Sequence, residues 1–109
     1  MKSAMTCFTV RSSIHPTSAP TGTDDDIEGN AGDDQIFGDA GEDVIFGNTG
    51  NDVIYAGAGI DYVEGNENDD EIHGDGGNDD LFGNAGNDSI YGGADHDFIF
   101  GGIGNDTIE

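Results

Sequence analysis

The sequence predicts an all-β fold: a stacked coil of two parallel sheets, made of ten nonamers with two nonamers to each full turn. Three observations predict it. From Pro20 to Glu109 the chain repeats every nine residues without a slip, cut at Pro20, Gly29, Gly38, Gly47, Ala56, Gly65, Gly74, Gly83, Gly92 and Gly101. The sixth place is aspartate in every unit: Asp25, Asp34, Asp43, Asp52, Asp61, Asp70, Asp79, Asp88, Asp97 and Asp106. The eighth is aliphatic in every unit: Ile27, Ile36, Ile45, Ile54, Val63, Ile72, Leu81, Ile90, Ile99 and Ile108. Self-similarity at a short fixed period marks a solenoid, in which each unit buries its apolar residue only against its neighbours.

Residues 1–19 come first in the chain. They are rich in Ser, Thr and Ala, carry no acid and show no period, so they are expected to be a loosely ordered lead-in to a repeat domain over residues 20–109. Met1 to Val10 has one lysine and a diluted apolar patch, which makes a poor signal peptide. An irregular lead-in, or the remnant of a longer parent, fits it better. The first nonamer keeps Asp25 and Ile27 but has Pro20 and Thr23 in the places of glycine, as terminal units of repeat arrays often do.

The nine units that follow share one design. Glycine holds the first place in all but Ala56, and the fourth in Gly32, Gly41, Gly50, Gly59, Gly77, Gly86 and Gly104. The fourth-place exceptions are Asn68 and Asp95, residue types that tolerate left-handed backbone better than most. Six turn-like residues thus lead into three strand-like ones, such as Gln35-Ile36-Phe37 or Val53-Ile54-Tyr55. Neighbours in a strand face opposite ways, so the always-aliphatic middle residue is the inward one. A three-residue strand is not stable alone. Successive turns reverse the chain, so odd and even nonamers are expected to form separate sheets, with the ten aliphatics filling the slot between them.

Charge bounds the partners. The chain has 24 acidic and 2 basic residues. Every acid lies after Ala19, and Lys2 and Arg11 lie before it. A block near −24 excludes nucleic acid and anionic membrane surfaces as unaided partners; its natural partners are cations. No apolar run approaches the ~18 residues that a membrane span needs. Cys7 is alone and forms no internal disulfide. No metalloprotease helix motif, nucleophile elbow or lysine-bearing phosphate loop occurs, so no enzyme is expected within these residues. His15, His73 and His96 are scattered and read as surface residues. Phe46, Phe82 and Phe100, with Tyr62 and Phe98 nearby, are expected on the outer face of one sheet, and Phe37, Tyr55 and Tyr91 on the other. Stacking within each sheet is weighed against a docking surface for a neighbouring domain or a second roll.

Units such as Gly101-Gly102-Ile103-Gly104-Asn105-Asp106-Thr107-Ile108-Glu109 and Gly83-Asn84-Ala85-Gly86-Asn87-Asp88-Ser89-Ile90-Tyr91 resemble the repeats-in-toxin (hemolysin-type) nonapeptide, a calcium-binding pattern. The resemblance covers about four fifths of the chain. It implies a parallel β-roll, a right-handed two-sheet β-solenoid, with up to about eight calcium ions in the turns, each between nonamers n and n+2. It implies that the side-chain ligands are the sixth-place aspartates named above. Main-chain carbonyls of the glycine-rich turns, at Gly32, Gly41, Gly50, Gly59, Gly77, Gly86 and Gly104, would complete the sites. It also implies a secreted, extracellular protein exported in one step by bacterial machinery. Three departures weaken particular sites: Thr23 in the first turn, Ile60 where Asn or Asp usually stands, and His96 in the same place of the ninth unit. Sites built from Asp34 to Asp52 and from Asp79 to Asp106 are therefore expected to be sounder than those involving Asp25 or Asp61.

The chemistry agrees with calcium. Stacked strands repeat every ~4.8 Å, and two carboxylates at that distance repel by about 1 kcal/mol in bulk water and severalfold more in a protein environment. Carboxylate and carbonyl oxygens suit a hard cation, and Ca²⁺ accepts six to eight loosely placed ones where Mg²⁺ demands a small octahedron. Zinc would want His and Cys clusters. The expected function is calcium binding coupled to folding, in a folding and secretion module of an extracellular bacterial protein. The chain stops in phase at Glu109 without a capping segment or export signal, so it is expected to be a fragment or one unit of a larger toxin, protease, lipase or adhesin. The alternative is a free-standing adhesive or structural calcium solenoid that binds partners through its aromatic faces. An ice-binding solenoid is disfavoured because the outward places lack threonine ladders.

Overall fold

The computed structural model describes residues 16–18 and 24–109. Among them every regular element is a strand: β1 (Pro16–Ser18), β2 (Asp26–Glu28), β3 (Gln35–Phe37), β4 (Val44–Thr49), β5 (Val53–Tyr55), β6 (Tyr62–Glu67), β7 (Glu71–His73), β8 (Asp80–Ala85), β9 (Ser89–Tyr91), β10 (Phe98–Ile103) and β11 (Thr107–Ile108). Each nonamer supplies one strand, and the chain alternates between two parallel sheets. The even nonamers, joined by β1, form a six-stranded sheet ordered β1-β3-β5-β7-β9-β11. The odd nonamers form a five-stranded sheet ordered β2-β4-β6-β8-β10. Strand partners from the repeats are separated by two nonamers, one full coil, as in Ile36↔Ile54 and Ile45↔Val63. The fold is the expected β-roll of about five two-nonamer turns.

β1 falls within the stretch expected to be a loose lead-in, yet it pairs in parallel with β3, Thr17 opposite Ile36. That offset is longer by a single residue than the one between any two repeats. The remainder of the lead-in, the turn at Thr23, and Lys2, Cys7, Arg11 and His15 lie outside the described residues.

The slot between the sheets is filled by the eighth-place aliphatics. Ile27, Ile36, Ile45, Ile54, Val63, Ile72, Leu81 and Ile90 have no exposed surface. The expectation of ten buried aliphatics fails for the last two: Ile99 is only partly buried and Ile108 is half exposed. They sit on β10 and β11, each of which pairs with a single neighbour, β8 and β9. Burial in a solenoid comes from coils on both sides, and these strands have a coil on one side only.

The turns between strands depend on two left-handed residues per nonamer. One is the anticipated fourth place, from Gly32 (φ 107°) to Gly104 (φ 129°), with Asn68 at 82° and Asp95 at 80°. The other is the second place, which the sequence pattern did not single out. It is left-handed in Asn30, Asp39, Asn48, Asn66, Asp75 and Asn84, and in Gly57, Gly93 and Gly102. A signal is present, since this place holds only Gly, Asn or Asp in all nine units, the residue types that enter this region most readily.

The outward rings stack within their own sheets. On the even sheet Phe37, Tyr55, His73 and Tyr91 form one continuous pile, with centroids 4.6–5.2 Å apart and planes within 14° of parallel. On the odd sheet Phe46, Tyr62, Phe82 and Phe98 contact one another with tilted rings. His73, which from sequence reads as an isolated surface residue, is thus a member of a ring ladder, and its Nε2 lies 2.9 Å from Glu71 Oε1. Cross-strand pairs at this spacing are the usual unit of sheet stabilisation.

Candidate metal centre

The sixth-place aspartates stand at the end of each turn, immediately before the strand. Asp25, Asp34, Asp43, Asp52, Asp61, Asp70, Asp79 and Asp88 are 1–3% exposed, and Asp97 and Asp106 are half-buried. Eight carboxylates forced by the period into two interior files, one of odd and one of even nonamers, need a reason to be there, because a buried charge is costly unless something compensates it.

From Asp43 to Asp106, one oxygen of each is compensated by backbone. The Asp25 N–H donates to Asp43 Oδ1 at 2.9 Å, and the pattern repeats between successive coils: Asp34 to Asp52, Asp43 to Asp61, Asp52 to Asp70, Asp61 to Asp79, Asp70 to Asp88, Asp79 to Asp97 and Asp88 to Asp106, all at 2.8–3.0 Å. All eight n, n+2 pairs are joined. Asp61, expected to be a weak member because Ile60 precedes it, holds the same two bonds as its neighbours, and Asp25 is buried with the rest.

The second oxygen is different. Oδ2 of Asp43, Asp52, Asp61, Asp70, Asp79 and Asp88 is buried with no hydrogen-bond partner. Beside it lies a small gap left by the first-place glycine. A Cβ placed on Gly74 would sit 2.7 Å from Asp79 Oδ2 and 2.6 Å from the Gly92 carbonyl oxygen, one coil on. The same two kinds of oxygen flank Gly38, where they come from Asp43 and Ala56, and Gly47, where they come from Asp52 and Gly65. A bare carboxylate oxygen and a carbonyl oxygen from adjacent coils thus lie close to one point at the margin of the core, which Leu81 Cδ1 approaches to 3.1 Å at Gly74 and Ile45 Cδ1 to 3.2 Å at Gly38. Of the fourth-place carbonyls singled out from the sequence, those of Gly41 and Gly59 approach the glycines at the same place on the next coil, Gly59 and Gly77. The first-place carbonyls are candidate donors that sequence reasoning did not name. Their first-place glycine is visible in the repeat, but which carbonyl turns inward depends on the backbone path.

No group of three or more His, Cys, Asp or Glu side chains gathers in a metal-holding cluster among the described residues. The file therefore offers single carboxylates beside main-chain oxygens, a hard, all-oxygen donor set that fits calcium.

Electrostatics mark the same strain. Burial pushes Asp43, Asp79 and Asp88 up to about 6, Asp52 up to about 7, and Asp61 and Asp70 up to about 8, against an ordinary value of 3.8. The backbone bond to Oδ1 pulls each back down, and neighbouring carboxylates add to the rise. In each case the folded value lies above the unfolded one, so the folded coil binds more protons and loses stability as pH climbs from about 4 to 8. In chelator, β structure is therefore expected to grow as pH is lowered from 8 to 5, followed by circular dichroism. Equal β content in chelator at pH 5 and pH 8 would contradict this.

The comparisons with known proteins agree with this architecture. The model of the RTX calcium-binding nonapeptide repeat matches residues 21–54, 46–81 and 73–108. No curated protein and no solved structure matches the chain. The family matches overlap in an unbroken series that takes in all ten sixth-place aspartates, and by them this chain belongs to the RTX calcium-binding nonapeptide repeat family.

Proposed function

We propose that the repeat domain, residues 20–109, takes up several calcium ions, up to about eight, between the turns of nonamers n and n+2, and that this uptake drives its folding. The observation that carries the reading is the row of buried aspartate Oδ2 atoms with no hydrogen-bond partner, from Asp43 to Asp88. The side-chain donors are Asp25, Asp34, Asp43, Asp52, Asp61, Asp70, Asp79, Asp88, Asp97 and Asp106. Main-chain carbonyls of the turns, those of the first place among them, complete each site. Calcium bound there supplies positive charge to an anionic file that otherwise opposes stacking. Because a site assembled from two coils does not exist in the unfolded chain, the free energy of binding is free energy of folding.

The biological setting follows from that coupling. Where calcium is scarce, inside the cell, the chain stays unfolded and can thread an export channel. Where calcium is plentiful, outside, it folds and cannot return. We place it as the folding and secretion module of an extracellular bacterial protein whose other activity lies elsewhere. The test is a calcium titration followed by far-ultraviolet circular dichroism, with magnesium as control. The expected outcome is cooperative gain of β structure with calcium alone, with a midpoint on the order of 10⁻⁴–10⁻³ M. Full β content in excess chelator at neutral pH would overturn the proposal.

A further inference from the structure

A second file of hydrogen bonds runs beside the aspartates, and it differs between the two edges of the roll. It is made by the fifth place, the residue just before each aspartate. Here a short side-chain oxygen accepts the fifth-place N–H of the following coil, the reverse of the sense in which the aspartate file runs. On the edge formed by even nonamers this file is unbroken. Asn51 N–H donates to Asp33 Oδ1, Asp69 N–H to Asn51, Asn87 N–H to Asp69 and Asn105 N–H to Asn87, at 2.8–3.0 Å. On the odd edge only the outer bonds form, Glu42 N–H to Asp24 at 2.8 Å and His96 N–H to Asn78 at 3.0 Å. Between them stand Glu42 and Ile60. Ile60 has no acceptor to offer Asn78, and no such bond joins Glu42 to Ile60 among the described residues. Ile60 is also 57% exposed, so no apolar packing replaces what is missing.

From this break we infer that the calcium sites fall into two classes, and that the weak ones are the two sharing Asp61, between Asp43 and Asp61 and between Asp61 and Asp79. The inference rests on the calcium reading above. At every other n, n+2 junction the fifth place and the aspartate each accept a turn N–H across the coils, in opposite senses, and so add two side-chain bonds to the main-chain ones where the oxygens meet. The junctions on either side of Ile60 have one side-chain fastening, the aspartate, beside main-chain bonds such as Ala58 N–H to the Asp39 carbonyl and Gly76 N–H to the Gly57 carbonyl. Less preorganised donors must be ordered at the moment of binding, at a cost in affinity. One net hydrogen bond corresponds to about a two- to tenfold difference. The fifth place is a positioning residue in this scheme, acting through the turn rather than on the ion. Asparagine or aspartate serves there because the oxygen lies one carbon beyond Cβ, whereas glutamate carries it one methylene too far.

The test uses the full chain and calcium itself, by isothermal titration calorimetry and by amide hydrogen exchange at sub-saturating calcium. The wild type is expected to show two sites filling about two- to tenfold later than the rest, with the amides of Ile60 and Asn78 less protected than those of Asp69 and Asn87. Ile60→Asn, which restores an acceptor for the Asn78 N–H, is expected to bring the site between Asp61 and Asp79 level with the others and to protect the Asn78 amide, while the site between Asp43 and Asp61, whose missing acceptor is at Glu42, stays late. Ile60→Ala, which removes the apolar surface without adding an acceptor, is expected to leave the late sites as they are. Asn51→Ala is expected to create a late site on the even edge. A single class of sites in the wild type, or equal behaviour of Ile60→Asn and Ile60→Ala, overturns the inference while leaving calcium binding intact. A chain that takes up no calcium fails the parent reading instead.

Discussion

Replacing Asp70 with asparagine is expected to shift stability in opposite directions with and without calcium. Asparagine has nearly the same volume and keeps an Oδ1 to accept the Asp52 N–H, a 2.8 Å bond in the wild type. It removes the ionisable carboxyl from a side chain that is 3% exposed and whose pKa burial pushes up to about 8. In chelator at pH 7 the ion-free coil no longer has to take up a proton at this carboxyl in order to fold. At pH 7 that relief is worth up to a few kcal/mol, on the order of 1.4 per pH unit between the unfolded value and the working pH. In calcium the same change removes a carboxylate from the two junctions that Asp70 shares with Asp52 and Asp88, and puts an amide N–H₂ where the bare Oδ2 had been. The calcium midpoint is expected to rise by about tenfold or more. Asp70→Ala, which also leaves the buried Asp52 N–H without its acceptor, is expected to destabilise the chain under both conditions. Urea unfolding in chelator and in saturating calcium measures all four cases. Equal destabilisation by asparagine in both solutions would show that the aspartate is there for its backbone bond alone.

The second large effect is expected at a pair of adjacent glycines with opposite tolerance. Gly77 has φ +117°, and a Cβ on it would drive into the main chain of Gly59 one coil below, its carbonyl oxygen first. The obstacle is backbone held in the stack, so it cannot swing aside. Both the left-handed conformation and the collision act against a side chain. Gly77→Ala is therefore expected to cost more than about 4 kcal/mol, a value reserved for clear structural violations, and to prevent folding even in excess calcium. Gly76, its neighbour, has no positive φ, and a Cβ added there would meet nothing within 4 Å. Gly76→Ala is expected to be neutral or to stabilise by about 0.4–1 kcal/mol through the unfolded chain. Circular dichroism at saturating calcium, with thermal melts, distinguishes the two.

These contrasts show which parts of the architecture are readable in advance. The aliphatic eighth place and its alternation with outward residues need only strand geometry, and the sheets form as the alternation requires. That the aspartates line up coil on coil is equally readable, because a residue type held at one phase of a period must occupy one place in every coil; their burial is not, since it depends on how closely the coils stack. His73 is not readable: its neighbours in the ring ladder, Tyr55 and Tyr91, lie a full coil away on either side, and only the parallel register stacks them. The second-place left-handed turn is legible in the restriction to Gly, Asn and Asp, but it is easily missed because three residue types look like variation.

By itself the chain's repetition determined the coil, the inward residues, the acidic edge and the need for a cation, because each of these is a property of one nine-residue unit copied along the axis. Tertiary structure alone decided how the copies meet. It chose which aspartate oxygen takes a backbone N–H and which is left bare, which carbonyl turns toward the bare one, and where the fifth-place bonds stop at Ile60. Those outcomes depend on partners a full turn away, and hydrogen bonds are directional over a few tenths of an ångström. Only the stacked backbone brings donors and acceptors from successive coils together to that precision.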